Sequence, residues 1–151
     1  MTPNALAFTP ATEEDLPFLL ALRDATMTPH LVRAGAAIDE ASQLARIRYR
    51  FEHAQIVSLK GRKIGLLKAC KEEAQWYIVQ IQIVPECQGQ GLGRQILEHI
   101  LAQASRDRLP TALKVLEGNP ARRLYEKLGF REARQEGIEY LMVCPPRLAI
   151  V

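Results

Sequence analysis

Three glycines fall within Gln88-Gly89-Gln90-Gly91-Leu92-Gly93, between the β-branched run Ile78 to Val84 and a helical pattern that opens at Leu92. A strand turning into a helix through glycines commits the chain to mixed α and β layers. It also places bare backbone at a helix N-terminus, where unpaired N–H groups and the positive end of the macrodipole favour an anion such as a phosphate. Two common nucleotide motifs do not fit. A dinucleotide fingerprint needs glycine or alanine where Arg94 stands, and a Walker loop needs Gly-Lys-Ser/Thr, which occurs nowhere in the chain. Read alone, the turn also allows a tight connection with no ligand.

A second segment adds to it: Val115-Leu116-Glu117-Gly118-Asn119-Pro120-Ala121-Arg122-Arg123-Leu124-Tyr125-Glu126-Lys127-Leu128-Gly129-Phe130. Asn119 suits a helix N-cap, Pro120 the first helical position and Gly129 the left-handed stop. Ala121, Leu124, Tyr125 and Leu128 then share one apolar face, on which Tyr125 reads as a core side chain. The Gln-x-x-Gly-x-Gly loop, after a strand ending in hydrophobic-x-Pro, resembles the acyl-CoA pyrophosphate loop of the GNAT superfamily of N-acyltransferases. The stretch Asn119-Pro120-Ala121 to Tyr125 to Gly129-Phe130 resembles its other signature.

The patterns alternate as β-α-α-β-β-β-α-β-α-β-β without repeat or linker, so one domain over residues 1–151 is expected, with the resemblance covering about 5–143. Leu6-Ala7-Phe8 reads as a first strand, and Thr12-x-x-Asp15 as the capping-box start of a first helix. Leu44, Ile47 and Phe51 mark a second helix, and Leu92, Ile96, Leu97, Ile100, Leu101 and Ala104 the buried face of a third. Strands are expected at Ile56 to Leu59, Ile64 to Cys70 and Leu113 to Leu116, with a closing hairpin of Phe130 to Ala133 and Ile138 to Val143 around Gly137. The resemblance implies a mixed central sheet flanked by helices and splayed between its fourth and fifth strands. The tail Cys144 to Val151 ends in apolar residues that suit either a core cap or a homodimer interface.

The resemblance also implies direct transfer of an acetyl group from acetyl-CoA, as cosubstrate, to an amine of a small molecule, peptide or protein. Backbone of Gln88, Gly89, Gln90, Gly91, Leu92, Gly93 and Arg94 would hold the pyrophosphate, and the strand edge at Ile83 would pair with the pantetheine arm. Asn119 would contact that arm, and Tyr125 would protonate the departing thiolate, a phenol of pKa about 10 being not far above a thiol at about 8.5. Many relatives place a glutamate on the central strand as general base. From Gln75 to Val84 this chain has no acidic residue. Gln80 and Gln82, on alternate positions, read either as the lining of the acceptor site or as an exposed stretch of strand. Glu72, Glu73, Glu86 and His30 remain as loop bases. Family analogy puts acceptor specificity in the connection of the first two helices, with Met27, Thr28, Pro29 and His30, and in the hairpin from Glu136 to Tyr140. His30 reads first as a surface histidine. A non-catalytic acyl-CoA-binding regulatory module would use the same loop.

The net charge of +3 suits an anionic cofactor, while scattered basic residues and few aromatics give no nucleic-acid surface. Cys70, Cys87 and Cys144 are odd in number and widely spaced, which supports neither a disulfide framework nor a metal site. Cys87 has no adjacent histidine to activate it as a nucleophile. No apolar run reaches membrane-spanning length and no basic leader opens the chain, so a cytoplasmic protein is expected.

Overall fold

A computed structural model describes residues 5–33 and 35–147. Seven strands form one sheet in the order β1-β2-β3-β4-β5-β7-β6: β1 Leu6–Pro10, β2 Ala54–Leu59, β3 Arg62–Lys71, β4 Trp76–Ile83, β5 Thr111–Leu116, β6 Arg131–Glu136 and β7 Glu139–Cys144. Four α-helices, α1 Leu16–Arg33, α2 Glu40–Arg48, α3 Leu92–Arg106 and α4 Arg122–Lys127, complete the expected order. The residues cluster into two compact units, 1–68 with 80–93, and 69–79 with 94–151.

In the first unit β1, β2 and β3 are antiparallel, Phe8 lying opposite Val57 and Ile56 opposite Leu66. The β2–β3 turn has positive φ at Lys60 (52°) and Gly61 (80°), matching the right-handed twist of a hairpin. A 3-10 turn, Glu13–Asp15, leads into α1. The Asp15 arm of its capping box closes as the sequence predicts, the Thr12 N–H donating to Asp15 Oδ2 at 2.8 Å, while the Asp15 N–H bonds the Thr12 main-chain carbonyl at 2.9 Å. Leu19 and Leu22 of α1, Ile47 of α2, and Ala54, Ile56 and Leu66 of the strands form a buried cluster.

Two sequence expectations need correction here. Met27, Thr28, Pro29 and His30 do not lie in a connection: α1 runs through them to Arg33 with Pro29 inside it. The side-chain spacing explains why, since Leu31 continues the i+4 row of buried Arg23 and half-buried Met27 and is itself 4% exposed. Phe51 is not in α2, which ends at Arg48, but in a separate 3-10 turn, Phe51–His53. That early end has a chemical cause. Lys68 of β3 is wholly buried, and its Nζ donates to the carbonyls of Ile47 (2.8 Å), Tyr49 (2.6 Å) and Arg46 (3.3 Å), among them orphan carbonyls at the helix terminus.

In the second unit β4 pairs in parallel with β5 through three positions only, Trp76–Thr111, Tyr77–Ala112 and Ile78–Leu113, the short ladder at the splay. β7 pairs antiparallel with β5 on one side and β6 on the other. Ile96, Leu97, Ile100, Leu101 and Ala104, the anticipated face of α3, are each at most 2% exposed. At the end of α4 the Gly129 N–H reaches the Glu126 carbonyl and the Phe130 N–H the Tyr125 carbonyl, a Schellman stop with Gly129 at φ +109°. The final residues of the tail, Leu148 to Val151, lie outside the described residues.

Candidate functional site

The connection from β4 to α3 is a 3-10 turn, Pro85–Cys87, followed by an exposed stretch from Gln88 to Gly91. Gly89 and Gly91 sit at φ +77° and +78°, and a Cβ on either would meet nothing within 4 Å. Glycine is therefore required here by conformation, and the space over both residues is open. Leu92 is buried and anchors the start of α3, whose first turn holds no acidic residue to compete with an anion. The loop braces itself with side chains: Gln88 Nε2 donates to the Ile83 carbonyl (2.9 Å) and Gln90 Nε2 to the Glu86 carbonyl (3.2 Å). Open space over bare backbone at a helix start leaves room for an anion.

Upstream on β4, Gln82 is buried while Gln80 is half-buried. Gln80 Oε1 and Gln82 Nε2 are both closed to solvent and lack a hydrogen-bond partner. The exposed-strand alternative therefore does not hold for Gln82. Opposite them Gly65 of β3 approaches so closely that a Cβ would stand 2.4 Å from the Gln82 carbonyl oxygen. Sequence reading missed Gly65, since an isolated glycine in an apolar stretch of strand is its only signal.

It also missed Arg23, which is 1% exposed on α1. Its Nε donates to Gln43 Oε1, and Gln43 Nε2 to the Ala37 carbonyl at 3.0 Å. Burial, then the neighbouring Arg46 charge, pulls the guanidinium down to about 10, still cationic at neutral pH. An arginine at the buried i+4 position from Leu19 is the signal that was available. Met27 is half-buried in α1, and only the backbone of His30 is described.

In the second unit Asn119 behaves as a cap although the regular turns of α4 begin at Arg122: its Oδ1 accepts from the Ala121 N–H at 2.9 Å. Tyr125 packs edge-on against Phe130, ring centroids 5.9 Å apart, and burial pushes its phenol above the ordinary value of 10.0. The phenol is thus held protonated. Of the loop bases, Glu72 accepts from Gln75 Nε2 at 3.0 Å, and in the first unit Glu86 faces Arg62 at 3.4 Å. The hairpin edge is ion-paired, Glu136 with Lys114 at 3.0 Å, and Arg122 lies 4.6 Å over the Tyr140 ring. Among the described residues no group of three or more His, Cys, Asp or Glu side chains could hold a metal ion, and no helix is long and apolar enough to cross a membrane.

Residues 51–132 match the family model described as the acetyltransferase (GNAT) domain. A tRNA(Met) cytidine acetyltransferase of Vibrio cholerae is 36% identical over 78 residues, 52% of this chain but 11% of that protein. Among solved structures, an acetyltransferase from Thermus thermophilus superposes with a TM-score of 0.77 at 24% identity, covering 96% of this chain and 99% of the other. The PaiA N-acetyltransferase of Thermoplasma acidophilum, solved with coenzyme A, gives 0.73 at 15% identity, covering 93% and 99%.

Proposed function

The chain belongs to the GNAT acetyltransferase family, and from that premise we propose that it transfers an acetyl group from acetyl-CoA directly to the amine of an acceptor. The observation that carries this is the open cradle at the start of α3, with Gly89 and Gly91 both at positive φ. Backbone from Gln88 to Arg94 binds the pyrophosphate, and Arg62 ion-pairs Glu86 ahead of that loop at 3.4 Å. The β4 edge at Ile83 takes the pantetheine arm, its own carbonyl already engaged by Gln88. Backbone donors that meet charge developing on the thioester oxygen are worth about 3 kcal/mol or more each.

The acceptor attacks as a neutral amine, since a protonated one has no free electron pair. The new C–N bond forms as the C–S bond breaks, and the sulfur leaves as a thiolate that takes a proton. Tyr125 is the proposed donor of that proton. Its raised pKa keeps the proton available at every working pH, and its place in the Asn119 to Phe130 motif supports the role. No carboxylate stands on β4, so proton removal from the amine falls to solvent or a distant base, which favours acceptors of low pKa. Deprotonating a lysine of pKa about 10.4 at neutral pH costs about 4.6 kcal/mol, against about 1 for an α-amine near 7.8.

Incubation with acetyl-CoA and a panel of amines, read by mass detection of product and by thiol release, tests the reading. A product carrying one acetyl group per thiol released is expected. Tight binding of acetyl-CoA with no product from any amine would leave a binding module instead.

A further inference from the structure

The helix that carries Tyr125, α4, is six residues long. A helix that short does not hold its shape in water, so neighbouring structure fixes where its side chains stand. Its first turn is tied to the last hairpin: Arg122 pairs with Glu132 of β6 at 2.9 Å and lies 4.6 Å over the Tyr140 ring of β7. Its last turn is tied through carbonyls that the helix leaves unpaired. Arg131 Nη1 donates to the Glu126 carbonyl at 3.1 Å, and Arg147 Nη2 to the Leu128 carbonyl at 3.2 Å.

Of these three arginines, Arg147 also reaches a long helix. Its Nη1 donates to Glu98 Oε2 of α3 at 2.7 Å, and its Nη2 lies 3.4 Å from Glu98 Oε1, a forked pair that fixes orientation as well as distance. Its backbone N–H donates to Ser105 Oγ, farther along α3, at 2.9 Å. With 15 residues and a buried apolar face, α3 is the rigid support. From the clamp to Tyr125 the path is short. Leu128, whose carbonyl Arg147 holds, donates its own N–H to the Tyr125 carbonyl at 3.1 Å, and Phe130, packed against the ring, donates to the same carbonyl at 3.0 Å. Leu128 and Phe130 are both buried, so a displacement of that turn passes to the tyrosine. The side chains of Arg147 and Glu98 are 46% and 38% exposed, and pairs in such settings contribute little to stability. What the clamp contributes is geometry.

We propose, resting on the reading of Tyr125 as general acid, that Arg147 is a positioning residue: by fixing the end of α4 against α3 it sets where the Tyr125 phenol stands during transfer. The described part of the tail then takes part in turnover without touching a reacting atom.

A double-mutant cycle tests this, with acetyl-CoA and the most rapidly acetylated amine of the panel above, under conditions where chemistry is rate-limiting. Arg147→Met keeps the aliphatic stem and removes the fork. It should lower kcat about tenfold, as expected when a catalytic group is slightly misplaced. The KM for acetyl-CoA should stay within twofold, and the melting temperature within a few degrees of the parent. In a Tyr125→Phe background the same substitution should change kcat less than twofold, because no acid remains to be misplaced. If Arg147→Met melts much lower, Glu98→Gln, which removes only the charge of the anchor, carries the same comparison with a smaller loss. An equal fall in both backgrounds, or parent-like kcat in Arg147→Met, overturns the positioning role while leaving Tyr125 as the acid. Turnover of Tyr125→Phe within twofold of the parent, or no product from any amine, removes the acid and the positioning role with it.

Discussion

A single oxygen atom separates two readings of Tyr125. Its ring is packed against Phe130, so Tyr125→Phe keeps the packing and removes only the hydroxyl. Turnover is expected to fall about 10²-fold with acetyl-CoA affinity and fold unchanged, the scale of a positioned general acid. Steady-state kinetics with chemistry rate-limiting decides it, and turnover within twofold of the parent would return Tyr125 to a packing role. The same phenol has a pH consequence. Raised above 10.0 by burial, it stays protonated through neutral and mildly alkaline pH, so kcat/KM should climb along the acceptor's own titration with no falling limb below about pH 10. A profile flat through the amine's titration would reveal an efficient base elsewhere. Gly91→Glu would put a Cβ at φ +78° and a carboxylate against the phosphate. Calorimetry should show loss of acetyl-CoA binding from a folded protein, and parent-like binding would dismiss the loop as the phosphate site.

At the scale of elements, most of the fold was legible because local signals agreed with one another. The Thr12/Asp15 cap and the Gly129 stop each form where residue chemistry places them. What was not legible depended on contacts distant in sequence. Met27 to His30 read as a connection, but α1 runs through them to Arg33, with Leu31 buried beyond Pro29. Lys68 looks like a break in a hydrophobic strand, and only its reach to the carbonyls at the end of α2 shows why a charge is tolerated there. The site followed the same rule, its loop and cap visible in spacing, the unpaired amides of Gln80 and Gln82 not. Lys68→Met, keeping the volume but no donor, should lower unfolding stability by about 1–3 kcal/mol in denaturant titration. A loss below about 0.5 kcal/mol would show that those carbonyls find other partners.

For the molecule as a whole, charge sets the response to acid. Burial alone would raise the Asp15 carboxyl, but the hydrogen bond from Lys63, with those from Thr12, overcomes it and holds the group below its ordinary 3.8. Hydrogen bonds also depress Asp39 (Ser42), Asp107 (Trp76, then Lys71) and Glu136 (Lys114, then Arg134). A depressed carboxyl contributes stability that is complete above its unfolded pKa, near 4, and is lost as pH falls through the folded value. Melting temperature should therefore hold to about pH 5 and decline below about pH 4. Asp15→Asn should lower the neutral plateau and make that decline shallower, whereas a parallel decline would assign the acid sensitivity to the exposed pairs. The strand order carries a different consequence, one of time. β7 follows β6 in the chain yet sits between β5 and β6, so a ribosome delivers both flanking strands before the one that joins them. Until Glu139 to Cys144 emerge, β5 keeps an unpaired edge along its full length, open to other chains. Released protein truncated after Gly137 should accordingly aggregate or recruit chaperones, and a chain extended through Cys144 should not.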